Sequence, residues 1–465
     1  MIRKAGYLGV GVVLGAAAAA TAPQALMFIS PAAYAAAADT YRQLNLFGDV
    51  FDKIRNDYVE KPDEAKMIEA AINGMLSSLD PHSSYMDAKA FRDMQVQTKG
   101  EFGGLGIEVT QEDGVLKVVT PIDDTPAAKA GVLSGDIIVA IDDTPTQGLT
   151  LDQAVEKMRG SINSAVRLKV IRGPKKEAKD FTIVRDLIHV QSVRSKVEDG
   201  DIGYIRITQF TEQTEEGLKA AMDKLHSEIP ADKFKGYILD LRNNPGGLLD
   251  QSIDVVNSFI DRGEIVSTRG RTPDETQRFD AKAGGDLSGG KPLVVLINGG
   301  SASASEIVSG ALQDHKRATL IGTRSFGKGS VQTIMPLGEN GALRLTTARY
   351  YTPSGRSIQA KGIEPDIKVL EDVPDDLKGK DDMKGEASLK GHLVNGAEDT
   401  TASQAYVPPD EKNDKQLLAA IDLLHGVKHP EPAVKADAAP VKSDPPSAPA
   451  TSPAPTDPAT PAKPN

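Results

Sequence analysis

The segment at residues 301–306 contains side chains that could carry out acyl transfer. Its sequence, Ser-Ala-Ser-Ala-Ser-Glu, follows the apolar run at 293–297, which predicts a strand, and it opens a helix with an apolar face. A serine at such a turn is exposed, and the nearby N–H groups and the helix dipole favour negative charge there. An acyl-transfer nucleophile needs these conditions. The alternative is that Ser303 only caps the helix, because Ser303 and Glu306 fit the capping-box pattern S-x-x-E.

Lys328 is the candidate for the base that a serine nucleophile requires. The seven His residues are scattered in settings that do not suggest a base, and the G-x-S-x-G nucleophile elbow is absent. A lysine can act as a base when burial lowers its pKa, so that the amine is neutral near pH 7. Phe326, Gly327 and Gly329 flank Lys328 and suit a tight, partly apolar pocket, and the amide of Gln332 could orient the amine. The alternative for a single lysine is a solvated surface charge.

The same lysine also ends a pattern that is typical of phosphate-binding loops. Residues 322–328 match G-x-x-x-x-G-K after a predicted strand at 319–321. A phosphate-binding loop would continue with Ser or Thr to hold Mg²⁺, and then with a helix. Here Gly329 follows, and residues 331–335 are strand-forming, so the sequence argues against nucleotide binding.

A glycine-rich turn could complete the site. Residues 243–247, Asn-Asn-Pro-Gly-Gly, follow a predicted strand at 237–241 and precede a predicted helix. A glycine here can aim its backbone N–H across the site, and together with the N–H of Ala304 it would form an oxyanion hole. The sequence does not choose between Gly246 and Gly247. The alternative is an ordinary strand-to-helix turn, in which this composition is common.

A second glycine-rich segment, at residues 102–107, has features of a binding site for a chain terminus. Its sequence is Phe-Gly-Gly-Leu-Gly-Ile, and it precedes a predicted strand. Glycines allow neighbouring N–H groups to point to one place, which suits a carboxylate, and the strand offers an edge to a peptide. The candidate peptide-binding residues are Gly103, Gly104, Leu105, Gly106 and Ile107. The alternative is a glycine turn without a ligand.

The patterns between the two termini indicate which elements position these segments. Residues 39–97 have helical spacing of apolar residues, and residues 98–185 contain short strands with one helix at 151–158. Residues 186–370 alternate strands and helices. We therefore predict an α/β multidomain protein with an N-terminal helical region, a β-rich second domain and an α/β core.

The beginning of the chain has the composition of an export signal. Residues 1–38 start with Arg3 and Lys4, continue with an apolar stretch and end in alanines. This pattern predicts either a cleaved secretory signal peptide or a retained membrane anchor. In both cases we expect the rest of the chain to be exported.

The C-terminal part of the chain predicts little globular structure. Residues 371–428 contain 13 acidic and 7 basic residues, and we predict a mostly solvated acidic extension. Near its end, Leu417, Leu418, Ile421 and Leu424 have the spacing of one docking helix. Residues 429–465 are rich in Pro and Ala and are predicted to form a disordered tail.

Composition excludes several classes of protein. The 465 residues include no Cys, which excludes disulfide scaffolds, thiolate nucleophiles and Cys-ligated metal sites. A net charge of −11 argues against a generic nucleic-acid binder. The motif H-E-x-x-H is absent, so a zinc hydrolase is not indicated. We expect no cofactor, no metal and no nucleic-acid partner.

Taken in order, the motifs resemble those of one family, the C-terminal processing peptidases. A PDZ-like pattern at residues 125–138 precedes D-L-R-x-N-P-G-G, then S-A-S-A-S-E and F-G-K-G-S-V-Q, and residues 79–85 are also similar to the family. The resemblance implies a PDZ domain at 98–185. It implies a serine protease core at 186–370 that is similar to the crotonase and Clp-protease superfamily.

The resemblance also implies a role for each candidate residue. Ser303 corresponds to the nucleophile, Lys328 to the general base and Gln332 to the residue that positions the lysine. The implied oxyanion donors are the N–H of Ala304 and of one glycine of the turn at 243–247.

The expected function is that of an exported serine endopeptidase. It would bind the apolar C-terminal tails of protein substrates through the PDZ domain and cleave with a Ser-Lys dyad. We expect it in a bacterial periplasm. The sequence leaves open whether it is attached to the inner membrane, whether it needs an adaptor protein and whether it forms a homo-oligomer. The main alternative is a non-catalytic PDZ scaffold in the cell envelope, and a small-molecule binder or acyl transferase on the same core is the third.

Overall fold

The computed structural model describes residues 31–427, except residues 113, 123, 174–175, 376, 379–381, 397 and 399. Of the signal or anchor predicted at 1–38, residues 1–30 lie outside the described part. The tail predicted at 429–465 lies entirely outside it. None of the helices in the described part is both long enough and apolar enough to cross a membrane.

The N-terminal region is helical, as the apolar spacing predicts. Its elements are α1 (Pro31–Asp57), α2 (Glu64–Ser77), β1 (Ser84–Met86) and α3 (Ala88–Lys99). The carboxylates of Asp63 and Asp87 cap α2 and α3 by accepting backbone N–H groups. One side of α1 carries large apolar residues that are exposed in the single chain: Leu44, Phe47, Val50 and Ile54.

The second domain is β-rich and contains the strands that the sequence predicts. Its elements are β2 (Glu101–Gly104), β3 (Ile107–Glu112), β4 (Val115–Pro121), α4 (Pro126–Ala130), β5 (Ile137–Ile141), β6 (Thr144–Pro145), α5 (Leu151–Met158), β7 (Ala165–Arg172), β8 (Glu177–Val184) and β9 (Asp186–His189). The strand order is β3–β4–β5–β7–β8, with β6 beside β5, and β2 pairs separately with β9. Because β3 lies at the edge of its sheet, one side of this strand can accept a further strand.

The described part of the core domain consists of two large sheets with helices, and β20 and β21 form a small two-stranded sheet. Its elements are β10 (Val193–Glu198), β11 (Ile202–Ile207), α6 (Thr214–Glu228), β12 (Gly236–Asp240), α7 (Leu249–Asn257), β13 (Glu264–Arg269), β14 (Gln277–Asp280), β15 (Leu293–Ile297), α8 (Ala304–Asp314), β16 (Thr319–Gly322), β17 (Ser330–Pro336), β18 (Ala342–Tyr351), β19 (Ile367–Lys368), β20 (Asp382–Met383), β21 (Ser403–Gln404) and α9 (Lys415–Leu424). The strand β17 follows the lysine, where a phosphate-binding loop would have a helix.

The main sheet of the described residues runs β10–β11–β12–β15–β16–β19. It is parallel from β11 onward, and β10 is antiparallel at one edge. Helices α6, α7 and α8 cover one face, and α9 packs on the other. Burial on both faces explains the continuous apolar sequence of β15, since a strand that is buried on both sides has no polar face. The predicted α/β class is confirmed.

The second sheet connects the N-terminal region to the core. It runs β1–β18–β13–β14, and β17 also pairs with β18. In the β1–β18 pair, Ser84 lies opposite Arg344. Arg344 also lies opposite Ile334 of β17, so β18 stands between the segment at residues 79–85 and the strand that follows the candidate lysine.

The prediction that residues 371–428 are mostly solvated is wrong where this segment packs on the core. Helix α9 buries Leu417 and Ile421 against the main sheet, which confirms the docking helix. Arg242, which is 1% exposed, forms ion pairs with Asp240 at the end of β12 and with Asp414 before α9. The prediction was wrong because the composition of the segment does not show which of its acidic residues are paired and buried.

Candidate active site

Ser303 lies between β15 and α8, where the sequence predicts a strand-to-helix turn. It is the N-cap residue of α8 and is 8% exposed; its N–H donates to the carboxylate of Glu306, but its hydroxyl makes no capping hydrogen bond among those described. A capping residue usually has an extended backbone, whereas Ser303 has φ 54° and ψ −111°. A positive φ in a non-glycine residue is strained, and such strain is concentrated at functional sites. Capping alone therefore does not explain the conformation of this serine.

The carboxylate of Glu306 joins the serine turn to the lysine loop, which we define as residues 323–329 between β16 and β17. Its Oε2 accepts hydrogen bonds from the backbone N–H of Ser303 at 2.7 Å and of Lys328 at 2.9 Å. Its Oε1 accepts from the N–H of Gly327 at 2.7 Å and the hydroxyl of Ser325 at 2.6 Å. Burial raises the pKa of Glu306 to about 7, although these hydrogen bonds act to lower it.

Lys328 is partly buried in the lysine loop. Burial is the largest influence on its ammonium and lowers the pKa below the ordinary value of lysine. The charges of Glu386, Glu306 and Asp80 act to raise this pKa, and the charge of Arg344 acts to lower it. A lowered pKa increases the fraction of neutral amine, which is the form that a general base requires.

Asp80 reaches the surroundings of Lys328 from the N-terminal region. Its carboxylate accepts hydrogen bonds from the hydroxyl of Ser83 at 2.7 Å and from the hydroxyl of Thr346 on β18 at 3.0 Å. Burial raises the pKa of Asp80, but these bonds and those from the backbone of His82 and Ser83 hold the pKa below its usual value. Asp80 is therefore a buried negative charge near the base candidate.

Glu386 reaches the same region from the segment that was predicted to be solvated. It is 1% exposed, and its carboxylate lies 2.8 Å from Nε2 of His82 and accepts a hydrogen bond from Gln359 at 2.9 Å. Its backbone N–H donates to the carbonyl of Phe326 in the lysine loop at 2.9 Å. The C-terminal extension thus packs directly on the loop that carries Lys328.

Gln332 lies on β17, and its amide is bonded to hydroxyl groups. Nε2 donates to Ser330 at 3.0 Å and to Thr346 at 3.2 Å. Within residues 31–427 as described, no hydrogen bond joins Gln332 to Lys328, and none joins the hydroxyl of Ser303 to the amine of Lys328. Catalytic hydrogen bonds are often long before a substrate binds. The role of Gln332 stays a prediction.

The two glycines of the turn at 243–247 differ in what they can donate. A Cβ on Gly246 would lie 2.8 Å from the Cβ of Ser303 and 2.9 Å from the nitrogen of Ala304, so this glycine allows close approach to the serine turn. The N–H of Gly246 donates to Oδ1 of Asn244 at 2.9 Å. Among the described hydrogen bonds, the N–H groups of Gly247 and Ala304 have no acceptor. Of the two glycines, Gly247 is therefore the one whose N–H group is available to donate to an oxyanion.

Asn244 links the glycine turn to the serine turn, and sequence reasoning did not single it out. It is fully buried, and its Nδ2 donates to the carbonyl of Ile207 at 2.8 Å. Its own carbonyl accepts from the N–H of Ala302 at 2.9 Å and from the hydroxyl of Ser305 at 3.0 Å. The available signal was an Asn two residues before a glycine, since Asn often bonds to the backbone two positions on.

The candidate peptide-binding segment is only partly a loop. Gly103 and Gly104 belong to β2, which pairs with β9, and Ile107 begins the edge strand β3. Leu105 and Gly106 lie between the strands, and the side chain of Leu105 is buried in the domain core. Among the described hydrogen bonds, the N–H groups of Leu105 and Gly106 have no acceptor, and Gly106 has φ 74°. These two amides could receive a carboxylate.

The described residues therefore assemble the requirements of acyl transfer by a hydroxyl group. A strained serine, a lysine with a lowered pKa and two available N–H donors occupy adjacent turns of the core. In the described part of the chain, no group of three or more His, Cys, Asp or Glu side chains could hold a metal ion.

Three family models match the sequence. Peptidase family S41 matches residues 201–369, a PDZ domain matches 117–172, and the N-terminal domain of the activating protease CtpB matches 17–90. The first match contains the serine turn and the lysine loop.

Several known proteins are similar over most of their length. The carboxy-terminal-processing protease of Bartonella bacilliformis is 59% identical over 390 residues, which cover 83% of this chain and 89% of that protein. The carboxy-terminal processing protease CtpA of Bacillus subtilis is 38% identical, over 70% of this chain and 69% of that protein. The solved structure of a photosystem II D1 C-terminal processing protease is 29% identical, covers 72% of this chain and 95% of that one, and has a TM-score of 0.41.

Proposed function

This chain belongs to peptidase family S41, as a serine-type carboxy-terminal processing protease with a PDZ domain, and from that premise we propose how it works. It is an exported endopeptidase that binds the apolar C-terminal tail of a protein substrate in its PDZ domain. It cleaves peptide bonds with a dyad of Ser303 and Lys328, assisted by Gln332.

The observation that carries the proposal is the convergence of the serine turn and the lysine loop. Ser303 and Lys328 donate their backbone N–H groups to the same oxygen of Glu306. The shared acceptor supports a pairing of the strained serine with the lysine whose pKa is lowered. A serine and a lysine held together in this way can serve as nucleophile and general base.

The first half of the reaction forms an ester between substrate and enzyme. Neutral Lys328 takes the proton of the Ser303 hydroxyl as the serine oxygen attacks the carbonyl carbon of the scissile bond. The N–H groups of Ala304 and Gly247 stabilise the negative oxygen that develops. Protonated Lys328 then gives the proton to the leaving amine, the C–N bond breaks, and the acyl-enzyme remains.

The second half of the reaction restores the enzyme. Lys328 takes a proton from a water molecule, whose oxygen attacks the ester carbon under the same backbone donors. The bond to the Ser303 oxygen breaks, and the proton returns to that oxygen from Lys328. Gln332 supports the arrangement from β17, next to Ser330 and Thr346.

Tail recognition uses the edge of the PDZ sheet. The substrate carboxylate binds the N–H groups of Leu105 and Gly106, and the chain before it extends along β3 as an added strand. Gly103 and Gly104 support this site by pairing with β9. A tail bound in this way places an upstream stretch of substrate in the core domain.

Export and assembly form the remaining part of the proposal. The Arg3-Lys4 start and the apolar stretch after it would direct the chain to a bacterial periplasm, with attachment to the inner membrane if the stretch is retained. The exposed apolar side of α1 could contact a second copy of the chain or an adaptor protein. Fractionation of cells that express the full chain tests the location, and a cytoplasmic protein would contradict export.

Incubation with a defined substrate tests the proposed cleavage. The purified protein is mixed with an unstructured polypeptide that ends in apolar residues, and the products are mapped by mass spectrometry. We expect internal cuts that depend on the apolar tail. A protein that binds the tail and yields no products would instead be a scaffold.

A further inference from the structure

The C-terminal extension, residues 371–428, contacts both loops of the proposed dyad, although it lies beyond the residues that match peptidase family S41. The backbone carbonyl of Gln404 accepts a hydrogen bond from the N–H of Gly299, shortly before the serine turn, at 3.0 Å. The same carbonyl accepts from the hydroxyl of Thr323, which begins the lysine loop, at 2.7 Å. The extension therefore packs where the two loops meet.

Glu386, also in the extension, holds the lysine loop on both sides of Lys328. Its backbone N–H donates to the carbonyl of Phe326 at 2.9 Å. Its Oε1 accepts from Nε2 of Gln359 at 2.9 Å, and Oε1 of Gln359 in turn accepts from the N–H of Gly329 at 3.1 Å. The loop backbone is thus tied to Glu386 before and after the base of the proposed dyad.

We propose that Glu386 is a positioning residue for Lys328, which holds the lysine loop through these bonds and places a negative charge near the amine. This inference rests on the dyad proposed above and makes the C-terminal extension a part of the active site. Glu386 acts through Lys328 and does not touch the reacting atoms.

The charge of Glu386 acts on Lys328 more strongly than the other charges around it. Burial is the largest influence on Lys328 and lowers its pKa, and the charge of Glu386 comes next and raises this pKa. Three further charges have smaller effects on Lys328, those of Arg344, Glu306 and Asp80. Removal of the charge of Glu386 should therefore increase the fraction of neutral amine at a given pH.

The surroundings of Glu386 fix its carboxylate in this place. The residue is 1% exposed, and in the described part of the chain no Lys or Arg forms an ion pair with it. Its titratable neighbours are Lys328, His82 of the N-terminal region and His392 of the extension. Nε2 of His82 lies 2.8 Å from Oε2 and donates to it, since an ionised carboxylate can only accept. The N-terminal region and the extension therefore meet at this carboxylate.

The substitution Glu386→Gln separates the charge from the shape. An amide has a similar size and keeps an acceptor for Gln359, but it carries no charge. We expect the acidic limb of single-turnover cleavage against pH to move to lower pH. At a fixed pH on that limb, activity relative to the plateau should be at least about threefold higher than in wild type. The plateau itself should stay within about threefold of wild type.

Two further substitutions at this position complete the comparison. Glu386→Asp keeps the charge, and its acidic limb should stay at the wild-type pH. Glu386→Ala removes the charge and the link through Gln359, so its limb should move as in Glu386→Gln and its plateau should also fall at least about tenfold. Binding of a tail peptide to the PDZ domain should change by less than about twofold in each variant.

Glu398→Gln is the matched control within the same extension. The carboxylate of Glu398 also lies 2.8 Å from Nε2 of a histidine, His392, and accepts from the N–H of Asn395 at 2.8 Å. It is not among the main charges that act on Lys328. This variant should keep both the plateau and the acidic limb of wild type.

Three results would overturn the proposal. The first is an acidic limb in Glu386→Gln that coincides with wild type, and if that variant does not fold, Glu386→Ala and Glu386→Asp provide the same comparison of charge. The second is an equal movement of the limb in Glu398→Gln. The third is a loss of cleavage in Glu386→Ala with an unmoved limb, lost tail binding and a lower melting temperature, which would indicate a structural role only. Inactive Ser303→Ala and Lys328→Ala proteins would leave the dyad standing in each case.

Discussion

Gly246 approaches Ser303 so closely that a Cβ on the glycine would lie 2.8 Å from the Cβ of the serine. Two carbon atoms that are not bonded prefer a separation of about 3.5–4.0 Å. Gly246 also has φ 98°, in the region that favours glycine. The glycine turn and the serine turn are therefore packed as one unit.

The substitution Gly246→Ala should displace Ser303 and reduce kcat by about 100-fold, because small displacements of reacting groups have effects of that size. Gly284→Ala is the matched control, since Gly284 has φ 81° but nothing within 4 Å of its Cβ position. The control carries the same kind of backbone strain and should keep its kcat. Steady-state kinetics on a defined polypeptide measure both, and equal activity of the two variants would contradict close packing at the nucleophile.

The pH dependence of kcat/KM should reveal the pKa of the base. Protonated Lys328 cannot accept the proton of Ser303, so kcat/KM should rise as pH rises through the pKa of Lys328 in the folded enzyme. Because burial lowers this pKa, the rise should end below the pH at which an exposed lysine deprotonates. Lys328→Arg should be inactive throughout, because Arg keeps its proton. Activity that falls or stays flat as pH rises would argue against a lysine base.

The free carboxylate of a tail peptide should be essential for binding to the PDZ domain. An apolar peptide with an amidated C-terminus cannot place a negative charge at the N–H groups of Leu105 and Gly106, so its affinity should fall at least about tenfold. Calorimetry with Ser303→Ala avoids cleavage during the measurement. If the peptides with a free and with an amidated C-terminus bind with equal affinity, the N–H groups of Leu105 and Gly106 are not the carboxylate site.

Docking of α9 should contribute measurably to stability. Leu417 is 3% exposed against the main sheet, so Leu417→Ala should lower the free energy of unfolding by about 2–4 kcal/mol. Leu418 is the next residue and is 42% exposed, so Leu418→Ala should cost about 0.5 kcal/mol or less. Denaturant unfolding compares the two, and similar losses would indicate that α9 does not pack as described.

Local sequence could predict the elements that carry the candidate site. The strand at 293–297 and the helix at 151–158 have the predicted limits, because their apolar patterns are continuous or periodic and their ends have clear signals. The position of Ser303 at a turn followed from the same patterns. These features depend on neighbours within a few residues.

The surroundings of Lys328 could not be predicted, because they depend on contacts between distant parts of the chain. His82 and Glu386 meet although they are 304 positions apart, and Asp80 reaches the site through its bond to Thr346. The difference between Gly246 and Gly247 depends on the side chain of Asn244, which becomes clear only when the turn is folded. The acidic extension appeared solvated because composition does not show which acids are paired.

The central claim is that Ser303 and Lys328 form the catalytic dyad, and substitution of each tests it most directly. Wild type, Ser303→Ala, Lys328→Ala and Gln332→Ala are incubated with an unstructured polypeptide that has an apolar C-terminus, and products are counted by mass spectrometry. We predict no products from the first two variants, with tail binding and melting temperature kept, and a partial loss in Gln332→Ala. Full cleavage by Ser303→Ala or by Lys328→Ala would contradict the dyad.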